Sequence, residues 1–322
     1  MKFEQAKVVY RVVRDHRSRS LDHLRSLPSG VLVATGAGLA VHSFDEGRSW
    51  QEFGAGCFDG ENILEIAEHD GCVVVFTRGE ENQVRIWKGG LEPDRWIHTT
   101  DLWGGWLDYA AVTSGNTLIA AVRDQDSLNV FSSSDLGPPW KLSLRLKTSG
   151  SLNLFRVNTS GIAIAVLLND TEMFDESDFE CTVIAMDVLS RRVVDRRTFR
   201  GNVQSAFSSG EHTWLFGANS GLLFSYDSAT HDLQTRAVLE DAELNITGIH
   251  MDQGKLVLVA EESDPPGKVW LLYENGAAKW SSFRTGIECY VYGTASVRNG
   301  IVVLADNIYT IDLVQSERSA GG

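Results

Sequence analysis

Seven times along the chain a glycine precedes a short run of almost purely apolar residues. The cases are Gly30 (VLVAT), Gly71 (CVVVFT), Gly115 (NTLIAAV), Gly161 (IAIAVLL), Gly210 (EHTWLFGA), Gly254 (KLVLVA) and Gly300 (IVVLA). Successive glycines stand 41, 44, 46, 49, 44 and 46 residues apart. The grammar repeats with them. A strand of about eight residues ends in a polar glycine turn, a strongly apolar strand follows, then a loop, a third strand, a turn and a more polar fourth strand. Glycine suits the first turn because tight hairpin turns call for positive φ. A continuous Val/Ile/Leu/Ala run marks a strand covered on both faces. Four antiparallel strands every 40–50 residues form the blade of a β-propeller.

The pattern predicts an all-β, seven-bladed propeller, six blades being the alternative. The blades fall at 20–53, 62–99, 107–146, 151–199, 202–239, 245–283 and 287–314. The seventh is one strand short. The segment 6–13 (AKVVYRVV) is β-rich and belongs to no other unit, so it is expected to supply the missing outer strand and close the ring. Closure removes two exposed sheet edges. No stretch reads as an amphipathic helix and no linker divides the chain. One domain over 1–315 is expected, with a disordered tail at 316–322.

Charge narrows the partners. The formal net charge is -14, and no Lys/Arg run offsets it, which argues against nucleic acid. No secretory signal and no apolar stretch of the ~20 residues that span a bilayer is found, so a cytoplasmic protein away from the membrane is expected. Cys57, Cys72, Cys181 and Cys289 lack metal-site spacing and read as small buried thiols. The Asn-x-Ser/Thr matches at Asn158, Asn169 and Asn245 are read as chance.

Two blades carry a sharper signature. Ser43, Asp45, Gly47 and Trp50 fit S-x-D-x-G-x-x-W, and Ser133, Asp135, Gly137 and Trp140 fit it again at the same blade position. Partial copies lie at 274–280 and 93–96. The pattern resembles the Asp-box, or BNR repeat, of sialidase-like propellers. The resemblance implies a structural role on the periphery: Asp accepts backbone N–H bonds within the turn between third and fourth strands, Gly permits the bend, and Trp plugs the gap between blades.

Sialidases, which this resemblance brings into view, hold a carboxylate with three arginines, whose planar forks donate paired bonds. They attack with a tyrosine activated by a glutamate, and use an aspartate as acid/base. Here Tyr292, at the start of the last inner strand, is the nucleophile candidate, and Arg78, Arg123 and Arg156 are the cluster candidates. Arg11 echoes the family's first arginine but lacks its proline and reads as an edge-strand residue. The family's E-G-R-like stretch is replaced by Ala34–Gly38, and seven blades stand in place of six. Outside that resemblance, Glu65 and Asp108 are candidates for a paired-carboxylate hydrolase.

Ligands of propellers gather at one mouth of the axial channel. Trp103, Trp106 and Tyr109, entering the third blade with Asp108 beside them, suggest an aromatic platform. His23, Arg156 and His250 also lie on inner strands, though which of them face the channel is left open. The clearest insertion, 168–180, holds six carboxylates; Asp170, Glu172, Asp175 and Asp178 are candidate ligands for a divalent cation, against a plain solvated acidic loop. No cofactor is called for. No G-x-S-x-G, H-E-x-x-H, P-loop or Rossmann fingerprint occurs. Three functions remain: a module binding a small molecule or protein at the channel face, a propeller enzyme (glycosidase, lyase or cyclase), and an assembly-factor scaffold.

Overall fold

The computed structural model describes residues 2–314 apart from 12–19, 55, 59–60, 79–82, 93–94, 103–104, 136–138, 149, 170–178, 239–242, 253, 264–266 and 275–278. Every element among the described residues is a strand. Two short strands, β1 (Lys2–Phe3) and β2 (Lys7–Tyr10), precede the blades. Blade 1 is β3 (His23–Ser26), β4 (Leu32–Gly36), β5 (Leu39–Ser43) and β6 (Gln51–Glu52). Blade 2 is β7 (Asn62–His69), β8 (Cys72–Arg78), β9 (Val84–Gly90) and β10 (Arg95–Leu102). Blade 3 is β11 (Trp106–Val112), β12 (Leu118–Asp124), β13 (Ser127–Ser133) and β14 (Lys141–Lys147). Blade 4 is β15 (Ser151–Val157), β16 (Ile162–Leu168), β17 (Glu180–Asp187) and β18 (Arg192–Arg200). Blade 5 is β19 (Val203–Ser208), β20 (Thr213–Ala218), β21 (Leu222–Asp227) and β22 (Asp232–Ala237). Blade 6 is β23 (Leu244–Asp252), β24 (Lys255–Glu262), β25 (Lys268–Glu274) and β26 (Trp280–Glu288). Blade 7 is β27 (Gly293–Val297), β28 (Gly300–Leu304) and β29 (Ile308–Val314).

Each blade is an antiparallel meander in sequence order, so the fold is the seven-bladed propeller that the repeat predicts. Seven hydrophobic clusters fill the seven gaps between neighbouring blades. The second strands lie between two such clusters. β4 and β28 are buried along their whole length, which is why they carry unbroken apolar runs rather than alternation. The turn glycines follow the expected positive φ at Gly30, Gly71, Gly161 and Gly254; in blade 3 the neighbouring Asn116 takes that conformation instead.

The ring closes through the N-terminal segment. β2 pairs antiparallel with β29, as expected from segment 6–13, and β1 extends the same edge with Lys2 opposite Val314. Phe3 is buried against Tyr273 and Phe283 of blade 6. Residues 12 and 13 and the expected tail at 316–322 lie outside the described residues. Among the described residues no helix is long and apolar enough to cross a membrane.

Candidate functional site

The inner strands carry a shared irregularity. In blades 2 to 6 the pairing of the first strand with the second slips by one residue, at Leu64, Asp108, Asn153, Gln204 and Thr247. Each slip is a β-bulge, which inserts an unpaired residue and reverses the alternation beyond it. Blades 1 and 7 pair without one. Side chains past the bulge are therefore re-aimed in five blades out of seven.

The first strands surround a cavity of about 470 Å³ on the axis. Its wall includes Arg25, Tyr109, Arg156, Ser205, His250 and Thr294, from blades 1, 3, 4, 5, 6 and 7 in turn. Arg25 is locked in place. Its Nε and Nη2 donate to Oε1 and Oε2 of Glu65 at 3.0 and 2.6 Å, a two-pronged pair with Glu65 only 4% exposed. Burial pushes the Glu65 carboxyl up, but the Arg25 charge and its hydrogen bonds outweigh this and hold it below the ordinary carboxylate range.

Arg25 and Arg156 share the ring of Tyr109, with guanidinium carbons 5.1 and 5.0 Å from its centroid. Both distances suit cation–π attraction. Arg156 donates from Nη1 to the Phe155 carbonyl at 2.7 Å, and among the described residues no carboxylate forms an ion pair with it. Burial, and then the nearby Arg25 charge, bring its pKa down to about 10. The channel thus contains one neutralised and one un-neutralised guanidinium.

Further polar groups complete the wall. His250 Nε2 lies 2.9 Å from Thr294 Oγ1, and burial lowers the imidazole to about 4. His23, exposed as a residue, is also lowered, by partial desolvation of its ring first and against the pull of Glu65. Glu261 accepts the Val291 N–H at 2.8 Å, yet burial raises its carboxyl. Tyr292, at one mouth, is half exposed.

Of the residues singled out in the sequence, His23, Tyr109, Arg156, His250 and Tyr292 line this cavity. Glu65 stands behind it, holding Arg25. Arg78, Arg123 and Asp108 do not line it, so the three arginines are not gathered into one cluster there. Arg123 Nη2 is 3.3 Å from Asp108 Oδ1. The other oxygen, Asp108 Oδ2, is buried without a hydrogen bond among the described residues. Burial outweighs Arg123 and raises this carboxyl to about 6. Arg78 stacks 3.6 Å above the half-exposed ring of Trp106. Trp103, together with Asp170, Glu172, Asp175 and Asp178, lies outside the described residues. Among those described, no cluster of three His, Cys, Asp or Glu could hold a metal.

Sequence reasoning passed over Arg25, although a signal for it existed. Arg25 and Arg156 each stand five residues before the turn glycine, Gly30 and Gly161. Counting back from the turn avoids the bulge, which spoils counting forward from the strand start.

The S-x-D-x-G-x-x-W segment of blade 1 forms a closed local network. Asp45 Oδ1 accepts the Ser49 N–H and the Ser43 hydroxyl, both at 2.8 Å, and Oδ2 accepts the Ser49 hydroxyl at 2.6 Å. Gly47 N–H donates to Ser43 Oγ, and Trp50 Nε1 donates to the Gly47 carbonyl. Burial opposes ionisation of Asp45, but bonds from Ser49, Ser43 and Arg48 prevail and bring it to about 2. In blade 3, Ser133 donates to Asp135 at 3.4 Å, while Gly137 is outside the described residues. Trp50 packs in the gap between blades 1 and 7, and Trp140 in that between blades 2 and 3.

No known protein family matches the sequence, nor does any curated protein. Solved structures do. The chain is similar to YCF48 bound to D1 peptide, with a TM-score of 0.71 at 10% identity, covering 98% of this chain and 99% of that one. It is similar to YCF48 from Cyanidioschyzon merolae, with a TM-score of 0.66 at 12% identity over 96% and 99% of the two chains. The WD40 repeats of RRP9 align with a TM-score of 0.63 at 12% identity, over 97% of this chain and 100% of theirs. At such identities the likeness shows the fold alone.

Proposed function

We propose that this propeller is a binding module whose axial channel receives a carboxylate presented by a protein segment. The observation that carries this reading is Arg156: a cation inside the channel wall, with no ion-pair partner among the described residues. A part-buried guanidinium without a counter-charge gains most from a carboxylate that arrives with its ligand. Arg25, tied to Glu65, also lies near the Tyr109 ring, 5.1 Å from its centroid. Ser205, Thr294 and His250 offer neutral hydrogen-bonding groups around the same space. YCF48, similar in fold, has been seen with a peptide bound, which supports a protein segment over a small molecule.

Glycoside hydrolysis has less support. Glu65 is committed to Arg25, and Asp108 lies off the cavity. The S-x-D-x-G-x-x-W turns are assigned the peripheral Asp-box role, on the internal bonding of Asp45. A cytoplasmic setting fits four cysteines none of which forms a disulfide.

The test is a thermal-shift and calorimetric screen of short peptides ending in a free carboxylate against the same peptides as C-terminal amides. A ligand at 100 times its Kd stabilises by about 2.7 kcal/mol. The acid series is expected to stabilise the wild type and to lose its effect on Arg156→Ala. Equal response to acids and amides, or an unchanged response in the variant, would overturn the reading.

A further inference from the structure

Each blade ends in an outer strand whose far edge presents unpaired backbone groups unless something covers it. In blade 7 the edge of β29 is taken by β1 and β2. In blade 6 the nine-residue β26 is partly covered: Ala6 N–H donates to the Thr285 carbonyl at 3.0 Å and Gln5 Nε2 to the Arg284 carbonyl at 3.1 Å. The outer strand of blade 4, β18, is equally long at nine residues but pairs only with β17. Among the described residues no backbone bond reaches its far edge.

That open edge is also basic. Arg191, Arg192, Arg196, Arg197 and Arg200 are all exposed, on a chain of net charge -14. Arg192 reaches Asp187 at 3.9 Å and Arg197 reaches Asp195 at 3.0 Å. Arg191, Arg196 and Arg200 form no ion pair among the described residues, although Arg200 is registered opposite Glu180. One or two charges suffice to discourage edge-to-edge pairing. The three without an ion pair among the described residues, Arg196 and Arg200 on the strand and Arg191 in the turn before it, are left for a counter-charge supplied from outside.

The geometry points to β18 as a docking edge for an acidic, extended segment of a partner protein, added to blade 4 as a fifth strand. Main-chain bonds along the edge set the register, and the guanidiniums take the alternate Asp or Glu side chains of the incoming strand. This inference is independent of the channel.

The probe is a fluorescein-labelled peptide of alternating Glu and Val, capped at both ends, titrated against the full chain by anisotropy. Saturable binding that weakens as salt rises is expected. Arg196→Gln with Arg200→Gln is expected to weaken it at least about tenfold while leaving the melting midpoint unchanged or higher. Arg156→Ala is expected to bind the peptide like wild type. The same peptide N-methylated at every residue keeps its charge but has no N–H to give to the ladder, and should also lose about tenfold. Equal binding of the methylated peptide overturns strand addition. Tighter binding of an oligothymidylate of equal charge, or of phosphatidylserine vesicles, overturns the acidic-protein partner. Absence of peptide binding overturns the inference altogether.

Discussion

Replacing Glu65 by Gln removes one charge from the structure and leaves the shape almost intact. The wild-type pair is bidentate at 2.6 and 3.0 Å, with the carboxylate 4% and the arginine 25% exposed. At an effective dielectric of about 20, unit charges at that separation attract by roughly 5 kcal/mol. Burial of both groups offsets part of this, and breaking a pair so placed costs about 3 kcal/mol, because the remaining charge stays buried. In Glu65→Gln the stranded charge is Arg25, already near Arg156 at the Tyr109 ring, so the channel then holds two un-neutralised guanidiniums. For a chain of this size the unfolding entropy is about 0.7 kcal/mol/K, so a loss of about 3 kcal/mol lowers the melting midpoint by about 4 °C. Calorimetry and urea unfolding measure it. Replacing the pair jointly, Arg25→Met with Glu65→Leu, should recover most of the loss. The pH dependence has a definite sign. Glu65 is held low in the folded state, so its contribution is full above the unfolded carboxylate pKa of about 4.3 and disappears as pH falls toward the folded value. A Glu65→Gln protein as stable as wild type at pH 7, or a double variant no better than the single one, would refute this account of the channel electrostatics.

Two buried groups should give opposite pH slopes. Asp108, raised to about 6, makes stability fall as pH rises from about 4 to about 6, so Asp108→Asn is expected to flatten that limb and gain about 2 kcal/mol at pH 8. His250, lowered to about 4, makes stability fall as pH drops below about 6.5; His250→Gln should remove that loss, and denaturant titrations from pH 4 to 8 compare both variants with wild type. At Gly47 the backbone has φ +85°, and an added Cβ would lie 2.7 Å from Val302 Cγ2. Gly47→Ala should therefore cost about 2 kcal/mol, read as a lower urea midpoint at constant m-value.

The architecture was legible in the sequence because every blade solves the same burial problem. A second strand sandwiched between two neighbours must be apolar on both faces, and that requirement wrote the 41–49-residue rhythm. The closing strand was legible for a related reason: Lys7–Tyr10 had β character and no blade of its own. The channel was only half legible. Tyr109, Arg156 and His250 were singled out by residue type, but which way they face depends on bulges at Asp108, Asn153 and Thr247. A bulge is a backbone event that no side-chain period announces. Glu65 was valued for its carboxylate, although its partner lies 40 residues earlier in another blade. Such a contact is set by ring geometry and leaves no local trace.

The junction of the first strand with the last has a further consequence for how the chain acquires its shape. Lys2 and Val314 are neighbours in space and about three hundred residues apart in sequence. A ribosome emits the first member of that pairing long before the last. Blades can form one by one during translation, but the circle stays incomplete until the final strand is released. Until then β2 and the newest blade expose ladder groups that have nothing to hold. Synthesis, rather than the finished molecule, is therefore when this protein is most open to mispairing with another copy of itself.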